Sequence, residues 1–592
     1  MSIFAGIFSR SDESLIGDTT CDSIKQLLSR NPNDQVSTYR DKTIFLAKID
    51  INAYGRPAFC VSQTGSASML AGEPLLDLKD GNPMRTRKED LELLHQEWDR
   101  GDCNLLRRAQ GIFCAVHYQP FNHCLSLIAD KLGLRPLYYW EGDKYIIFST
   151  ALRILESLAE VPKKMDVRAV TEIARLNVCL SNRTPYIGIS RLEAAEIVQF
   201  AGGKKSRSKY WSWDQITQSN GSEEEQLQEV YNRFSIAIAR RLRNDRSTVS
   251  LLSGGLDSRC VTAVLRSHNV TVQTLNFAPP GTQDRVFAAE FAQKIGSIHE
   301  QIEMEYDNPY EIVSRWIRNS NASTNKETQT PERPLLVWEG AGGSVGLGHV
   351  YMHESIVNLM RREKRDAAID LYLQRLGIHI PRRAMNRNIL SSLVEIPKEG
   401  IHRELEGIHC ADPARDFYLY LMLHEQRSLT SNYYEDIDVR RLEPHRPFFD
   451  SDFLASVLAV PVDLCLSHHF YHRLLKYFPA AVTSVPWQTY PSHEACPLPI
   501  PQGLVYQWHT GFDNAQKHSR KREWIQQAHE VLRSHNFPQP IINRNYLRIV
   551  TWVYRAGLRD YRYVINNVKI YNKYWVISGG QYELPSNNPI PS

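Results

Sequence analysis

Short apolar runs of strand length dominate the first 200 residues of the chain. Each run is rich in Ile, Phe, Tyr and Val and is bounded by Gly, Asp or Asn, which is the pattern of β-strands. The runs occupy residues 43–49, 111–118, 124–130, 136–140 and 145–150. The sequence therefore predicts a β-rich layered domain over residues 1–205.

The hydrophobic period changes at Ser222, where a helix is predicted to begin. Ser222 and Glu225 form a capping-box signature, because the Ser oxygen accepts from a first-turn N–H and the Glu reaches back. The apolar residues that follow recur at helical spacing on one face: Leu227, Val230, Tyr231, Phe234, Ile238 and Leu242. Just upstream, residues 201–226 combine a Gly pair, a basic cluster and turn-forming residues, as a domain boundary does.

Strands and helices then alternate along the chain. Strands are predicted at 248–252 and 270–277, a helix from the segment that contains Cys260, and a second helix at 285–296. This alternation is typical of a parallel sheet with crossover helices. Because the pattern beyond residue 350 is mostly helical, the second domain is predicted over 222–592, as a parallel α/β sheet with a helical C-terminal part.

Length and composition narrow the class of protein. The chain of 592 residues exceeds the roughly 250–300 residues that one hydrophobic core supports, so two or more domains are expected. With 70 Lys and Arg against 66 Asp and Glu, it lacks the concentrated basic excess of a nucleic-acid-binding protein. No run approaches the ~20 apolar residues of a membrane span, and the ten cysteines form no CxxC pair. We therefore expect a soluble, cytoplasmic enzyme that binds neither nucleic acid nor membrane.

The clearest chemistry lies in the segment SGGLDS, which contains Ser253, Gly254, Gly255, Asp257 and Ser258 between a predicted strand and a predicted helix. In a parallel sheet such a loop lies at the carboxyl edge, where ligands bind. The glycines allow an anion to approach closely, and the exposed N–H groups and helix dipole favour phosphate. Asp257 suits a phosphate site only when a divalent cation bridges the two, and Mg²⁺ prefers such oxygen ligands. The alternative is an ordinary glycine turn that caps a helix.

The SGGLDS segment resembles the pyrophosphatase loop of ATP-dependent amide synthetases related to asparagine synthetase. The other segments that are similar to this family are residues 125–140, 183–200, 275–277 and 440–453. Within them His445 stands where asparagine synthetases carry Arg, and Asp284 follows at the family's acidic position. The resemblance implies a glutaminase-like (Ntn-type) N-terminal domain and an ATP-pyrophosphatase synthetase domain, with ATP and Mg²⁺ as cofactors.

The resemblance implies that ten residues bind ATP and that Asp257 binds the metal. The ten are Leu251, Ser253, Gly254, Gly255, Asp257, Ser258, Asn276, Phe277, Gly340 and Gly342. The family completes its site with a loop of the form Gly-(acid or Tyr)-Gly-small-Asp, whose acidic residues serve as a base and as a second Mg²⁺ ligand. Here Ala341 and Ser344 fill those catalytic positions. The resemblance therefore predicts a weak or inactive form, unless Glu339 substitutes.

Ser2 separates this chain from the glutamine-hydrolysing members of the family. Their nucleophile is the Cys that follows the initiator Met, and serine lacks the accessible anion of a thiol. The N-terminal domain is therefore interpreted as a scaffold, and an amine other than glutamine-derived ammonia must attack the adenylate. Residues 342–351 and 486–501 resemble lasso-peptide macrolactam synthetases more than β-lactam synthetases.

This last resemblance implies the reaction and the partners. An Asp or Glu side-chain carboxylate of a ribosomally made precursor peptide is adenylated, and the peptide's N-terminal amine then displaces AMP to close a macrolactam. The expected partners are the precursor peptide, a leader peptidase and a leader-binding protein. Two alternatives stay open: an asparagine synthetase that uses free ammonia, and a catalytically impaired homologue that acts as a scaffold.

Three smaller features have both a functional and a structural interpretation. Glu425 is a catalytic candidate that would orient substrate or AMP, and an ion pair with Arg427 is the alternative. His468 and His472 have the spacing of metal ligands, but helix packing is the favoured interpretation because no third ligand is near in sequence. Lys476 would neutralise pyrophosphate, although a solvated lysine at a helix end is favoured.

Overall fold

Two sheet-containing domains and a helical C-terminal part make up the chain. The structure is a computed structural model that describes residues 2–11, 15–55, 57–78, 85–303, 313, 316, 331–377, 379–506 and 514–584. For residues 514–520 it describes the backbone alone. The two-domain α/β class predicted from the sequence is confirmed.

Two antiparallel six-stranded sheets form the N-terminal domain. Its strands are β1 (Ser2–Ser9), β2 (Val36–Arg40), β3 (Ile44–Asp50), β4 (Phe59–Val61), β5 (Ala67–Gly72), β6 (Phe113–Gln119), β7 (Cys124–Ala129), β8 (Tyr138–Glu141), β9 (Tyr145–Ser149), β10 (Met165–Asp166), β11 (Ile189–Arg191), β12 (Glu196–Ala201) and β13 (Lys204–Lys209). The first sheet has the order β11-β8-β9-β1-β3-β2, and the second has the order β13-β12-β7-β6-β5-β4. The five strands predicted from apolar runs are confirmed as β3, β6, β7, β8 and β9. Strand β13 continues the second sheet past residue 205, and its fully exposed residues explain why no apolar run marks it.

Helices cover the outer face of each sheet. The helices of this domain are α1 (Asp18–Leu27), α2 (Arg87–Asp99), α3 (Leu152–Ser157) and α4 (Val167–Leu176). Side-chain alternation along β1 explains the layers: Ile3 and Ile7 pack with α1 and α3, whereas Phe4 and Phe8 pack against the second sheet. Leu94 of α2 packs on the opposite face of the second sheet. The domain is therefore layered helix, sheet, sheet, helix.

A parallel five-stranded sheet forms the core of the second domain. Its strands are β14 (Ser247–Leu251), β15 (Thr271–Asn276), β16 (Ile298–Gln301), β17 (Leu336–Trp338) and β18 (Glu443–His445), and its first helices are α5 (Glu223–Leu242), α6 (Leu256–Ser267) and α7 (Gln283–Ile295). The predicted helix start is confirmed, since Ser222 caps α5 in a complete capping box with Glu225. The strand order β16-β15-β14-β17-β18 shows that the chain leaves β14 on one side and returns to β17 on the other. Ligands bind at such a switch point.

The C-terminal part is helical, as the sequence predicts. Its helices are α8 (Glu354–Arg361), α9 (Arg365–Arg375), α10 (Arg387–Glu406), α11 (Pro413–Tyr420), α12 (Arg427–Glu435), α13 (Ile437–Arg440), α14 (Ser451–Leu458), α15 (Val462–Cys465), α16 (His469–Leu474), α17 (Asn514–Arg533), α18 (Arg544–Arg555) and α19 (Arg562–Ile577). Strand β19 (Tyr582–Glu583) returns to pair with β10. Among the described residues no single helix has the length and apolar character to cross a membrane. One pair of segments reaches that length and character only when taken together, with a 110° bend between them: Ser451–Leu458 and Val462–Tyr477.

Buried contacts join the two domains. Arg135, which follows β7, and Glu443 on β18 form an ion pair of 3.1 Å, with side chains only 1% and 3% exposed. Leu134 packs within the core of the second domain, and Ile437 packs within the core that surrounds α1 and β1. Each domain therefore completes the interior of the other.

Candidate functional site

Three loops meet at the carboxyl edge of the parallel sheet. Residues 253–258 follow β14, residues 277–279 follow β15 and residues 339–344 follow β17. They enclose a cavity of 630 Å³, lined by Leu251, Leu252, Ser253, Asp257, Ser258, Leu275, Asn276, Phe277, Ala278, Pro279, Thr282, Asp284, Gly340 and Ala341. The cavity therefore lies where the topology of the sheet predicts a ligand.

Glycine is required at two positions because the loops approach one another closely. A Cβ on Gly340 would lie 2.4 Å from the backbone nitrogen of Ser258. A Cβ on Gly254 would lie 2.7 Å from the Cα of Asp284. Gly340 thus lets the loops that follow β14 and β17 meet, and Gly254 lets the loop that follows β14 meet the start of α7.

Gly255 differs, because its surroundings are open. A Cβ there would meet Ser253 Oγ at 3.5 Å and no other heavy atom within 4 Å. Gly255 is also the N-cap of α6, and it has no side chain with which to cap the first N–H groups. Ser253 Oγ lies 3.0 Å from Ser258 Oγ, so two hydroxyls stand beside this helix start. The open face of the loop therefore offers N–H and O–H donors to an anion.

Asp257 is held by donors from distant parts of the chain. Its Oδ2 accepts from the N–H of Ser344 at 2.9 Å and from the Ser344 hydroxyl at 2.6 Å. Its Oδ1 accepts from the Tyr471 hydroxyl at 2.9 Å. Burial raises the pKa of Asp257, and these hydrogen bonds oppose the increase. The carboxylate is therefore fixed in orientation, and one lone pair remains on Oδ1.

The donor set of the cavity fits Mg²⁺. Asp284 lines the same cavity as Asp257 and accepts from the N–H of Gly254 at 2.5 Å, and burial raises its pKa as well. The described residues that line this cavity include two carboxylates but neither Lys nor Arg. A carboxylate that is buried without a cation is costly, and Mg²⁺ commonly uses one or two carboxylates together with phosphate oxygens and water. Asp257 is therefore well placed for the metal role that was predicted for it.

A second cavity of 100 Å³ adjoins the first, since Ser253 and Asp257 line both. Four of its other lining residues carry buried polar atoms that have no hydrogen-bond partner in the described part of the chain: His468 (Nε2), His472 (Nε2), Trp487 (Nε1) and Gln488 (Nε2 and Oε1). Such atoms are positions at which the polar groups of a ligand gain partners. Sequence reasoning had named Ser253, Gly255, Asp257 and Ser344 but not Tyr471 or Tyr506, and it did not predict that these residues line a second cavity.

Most of the predicted nucleotide-binding residues come together. The larger cavity contains Leu251, Ser253, Asp257, Ser258, Asn276, Phe277 and Gly340, with Ala341 beside them, and the smaller cavity contains Gly255 and Ser344. Gly254 lines neither cavity but allows the loop 253–258 to approach Asp284. Gly342 has a φ of +94° and a Cβ position only 2.7 Å from the Phe449 ring, so it serves the turn that follows β17 and lines neither cavity.

Glu425 lies apart from both cavities. Its carboxylate accepts from the Tyr372 hydroxyl at 2.8 Å. Arg427, the alternative partner, instead donates to the backbone carbonyls of Gly133 and Leu192. The predicted catalytic role of Glu425 therefore gains no support from its position, and the alternative ion pair is replaced by these contacts.

The remaining candidates have structural roles. Glu339 is buried and forms an ion pair with Arg446, so its carboxylate is engaged away from the position of Ala341. Lys476 is exposed and pairs with Glu224, which agrees with the solvated interpretation. The ring centroids of His468 and His472 are 6.3 Å apart, and the described residues provide no third ligand for them.

Ser2 is buried at the start of β1. Its hydroxyl donates to Asp50 Oδ2 at 2.8 Å, and the same oxygen binds Arg87 at 2.9 Å. The carboxylate also lies 3.6 Å from the buried ammonium of Lys48. The hydroxyl is therefore part of a buried ionic network between β1, β3 and α2.

Comparison with known proteins finds a family match within each domain. Residues 75–211 match the glutamine amidotransferase domain family, and residues 229–335 match the asparagine synthase family. The Bacillus subtilis protein named asparagine synthetase (glutamine-hydrolyzing) 3 is 24% identical over 268 residues, which cover 42% of this chain and 42% of that protein. The Acanthamoeba polyphaga mimivirus protein named "Probable asparagine synthetase (glutamine-hydrolyzing)" is 30% identical over 204 residues, which cover 33% of this chain and 35% of that protein.

The similarity is therefore partial. The chain spans less than half the length of these curated relatives. One similar solved structure is glutamine phosphoribosylpyrophosphate amidotransferase from B. subtilis, complexed with ADP and GMP. The alignment covers 58% of this chain and 77% of that chain at 10% identity, and its TM-score is 0.19. The two-domain fold class predicted from the sequence is confirmed, and its order agrees with a match to the glutamine amidotransferase domain family that is followed by a match to the asparagine synthase family.

Proposed function

We propose that the chain is an ATP-dependent amide ligase that closes a macrolactam in a precursor peptide. The observation that carries this proposal is the pair of adjoining cavities that share Ser253 and Asp257. One cavity has the features of a nucleotide site, and the other has polar and aromatic walls for the group that reacts with the nucleotide. Two reactants held on either side of one anchored carboxylate are placed for group transfer.

The larger cavity suits ATP. Leu251, Leu275, Phe277 and Pro279 provide apolar walls for a base, while the loop 253–258 provides donors for phosphates. Asp257, fixed by its three hydrogen bonds, would hold Mg²⁺. The metal, when bound, would neutralise phosphate charge during release of pyrophosphate.

The smaller cavity suits the carboxylate and the amine. A peptide Asp or Glu side chain there would lie beside the α-phosphate and attack it, with loss of pyrophosphate. The N-terminal amine of the same peptide would then displace AMP from the resulting acyl adenylate and form the amide. Trp487 and Tyr490 line this cavity, and bulky rings at that position would keep water from the adenylate. Holding the two reacting groups together can supply ~7–11 kcal/mol of the barrier.

The charge of the cavities favours a peptide over free aspartate as the acceptor. None of the described residues that line either cavity is Lys or Arg. Free aspartate carries an α-carboxylate that would need such a partner, because an unpaired buried charge is costly. An Asp or Glu residue within a peptide carries no α-carboxylate at that position, so it can enter without one.

The curated relatives, which are named glutamine-hydrolyzing asparagine synthetases, favour asparagine synthesis as a second candidate. In this chain the amine would be free ammonia, because Ser2 stands in place of the cysteine nucleophile. Ser2 is compatible with it, since ammonia from solution needs no glutaminase. The impaired-scaffold alternative remains a further outcome, because Ala341 lines the larger cavity with no carboxylate to offer.

One experiment with three arms separates these functions. The purified chain is given Mg·ATP with a candidate precursor peptide and the leader peptidase, with aspartate and ammonium, or with neither. Pyrophosphate release together with loss of one water from the peptide supports macrolactam formation, whereas asparagine formation supports the second candidate. Binding of ATP without pyrophosphate release in any arm would overturn both. The variant Asp257→Ala serves as the control, because loss of the metal ligand should abolish pyrophosphate release from a folded chain.

A further inference from the structure

A cluster of metal-ligating side chains lies in the N-terminal domain, between α2 and the second sheet. His95 and Asp99 stand four residues apart on one face of α2, and His117 lies on β6. One ligand atom from each of the three lies within 4.8 Å of the others. The cluster belongs to a different domain from the loops that bind phosphate in the proposed function, and it does not depend on that proposal.

The distances in the cluster approach those of a filled site. His95 Nε2 lies 3.5 Å from one Asp99 oxygen, and His117 Nε2 lies 3.5 Å from the other. A tetrahedral Zn²⁺ with bonds of about 2.0–2.1 Å separates its ligand atoms by about 3.3 Å. The three side chains therefore need only small rotations to close on one ion.

His117 gives a second, independent indication. Its side chain is 4% exposed, and its Nε2 atom has no hydrogen-bond partner among the described residues, although it faces the Asp99 carboxylate. A buried polar atom without a partner is costly, and such atoms are uncommon in folded proteins. An apolar side chain at this position would pack with Trp98 at no such cost. A ligand on Nε2 removes the penalty.

Ser68 holds both imidazoles in the orientation that a metal requires. It is the cross-strand partner of His117 between β5 and β6. Its hydroxyl lies 2.8 Å from Nδ1 of His95 and 2.8 Å from Nδ1 of His117. One hydroxyl oxygen can accept from both Nδ1–H groups, which leaves a lone pair on each Nε2. The Ser66 hydroxyl lies 3.4 Å from His95 Nε2 and donates to Asp99 at 2.8 Å, so a metal would displace the weaker of these two contacts. Metal-ligating histidines are oriented in this way by a partner on the other ring nitrogen.

We propose that His95, Asp99 and His117 bind a divalent transition-metal ion of the Zn²⁺ class, with Ser68 as a positioning residue. Two imidazoles and a carboxylate are ligands that Zn²⁺ accepts. The Asp99 side chain is 28% exposed, so the ion reaches the site from solvent and keeps a fourth position for water. The ion links the C-terminal end of α2 to the second sheet.

Metal titration of the full chain tests this site. Chelator-treated protein without nucleotide is titrated with Zn²⁺, and with Co²⁺ for its visible absorption in four-coordinate sites. Wild-type protein is expected to bind one tight equivalent. Asp99→Asn, at an exposed position that should tolerate the change, is expected to weaken that equivalent by at least about a hundredfold, and Ser68→Ala by about ten- to a hundredfold.

The control is His123→Gln, which removes a histidine of the same domain whose ring nitrogen lies 2.9 Å from the carbonyl oxygen of Ser9. The chain has 20 histidines and ten cysteines, so weak binding elsewhere is expected and only the tight equivalent counts. Thermal melting without metal shows that each variant is folded. Equal tight binding by wild type and Asp99→Asn, or wild-type binding no tighter than about 0.1 mM, overturns the proposal.

Discussion

The substitution Gly255→Ala is expected to weaken phosphate binding while it leaves the stability of the chain nearly unchanged. The substitution adds one methyl group at a position with φ −86° and ψ 177°, which alanine adopts without strain. The methyl carbon would meet only Ser253 Oγ, at an ordinary contact distance of 3.5 Å. The free energy of unfolding should therefore change by less than about 1 kcal/mol, because alanine restricts the unfolded chain by about 0.4–1 kcal/mol whereas glycine is the better N-cap residue.

The effect on ATP should be much larger, because the same methyl group occupies the space through which a phosphate reaches the start of α6. Loss of one hydrogen bond to a charged group costs about 1.5–3 kcal/mol, which corresponds to about ten- to a hundredfold weaker binding. We expect ATP titrated in the presence of Mg²⁺ to show this loss by calorimetry, while the melting temperature of the free chain is unchanged.

Gly17→Ala is the matched control, since Gly17 has φ −69° and no heavy atom within 4 Å of its Cβ position. It should change neither ATP affinity nor melting temperature. Wild-type ATP affinity in Gly255→Ala, with its melting temperature also unchanged, would show that phosphate does not lie against this loop. The assignment of residues 253–258 would then be wrong, whatever the acceptor substrate is.

Three further predictions concern single residues. Ala341→Asp is expected to raise the single-turnover rate of ring closure by at least about tenfold, because it places an acid in the larger cavity. Glu339→Gln should lower the melting temperature by weakening the ion pair with Arg446, and it should leave the rate per folded molecule unchanged. An unchanged rate in the first variant and a destroyed rate in the second would make Glu339 the working acid. Ser2→Ala should leave ring closure nearly unchanged, since its hydroxyl serves a buried network, and a large fall in rate at constant stability would contradict that role. Burial raises the pKa of Asp90 to about 7, so the unfolded chain loses this proton first and the contribution of Asp90 to stability falls as pH rises from about 4 to 7. The melting temperature of Asp90→Asn should therefore exceed that of wild type by more at pH 8 than at pH 5. An equal difference at both pH values would refute the raised pKa.

Local patterns allowed the elements around the larger cavity to be predicted. The capping box at Ser222, the strand before SGGLDS and the helix after it depend on neighbours within a few residues, and all three are present. The strand β13 escaped prediction because every residue in it is exposed, so no apolar alternation marks it. Hydrophobic pattern is thus informative only where a strand has a buried face.

The missed site residues depend on contacts between distant segments. Tyr471 donates to Asp257 across 214 positions, and the sequence did not predict it. It lies in no motif whose spacing is fixed by one helix or strand. The same limit applies to His117: the pair His95 and Asp99 has helical ligand spacing, but the third ligand comes from a strand that only the folded sheet brings near.

Packing gives the N-terminal domain a structural role beside the parallel sheet. Leu134 lies in the core of the second domain and Ile437 in the core of the first, so separation would expose apolar surface on both. Removal of Arg135 would also leave Glu443 buried and unpaired on β18, and breaking such a pair costs about 3–5 kcal/mol. Because β18 pairs with β17, that cost falls on the strand beside the one whose end carries the loop 339–344. The first domain thus supports the site of the second through its interior contacts, and this support requires no glutamine chemistry.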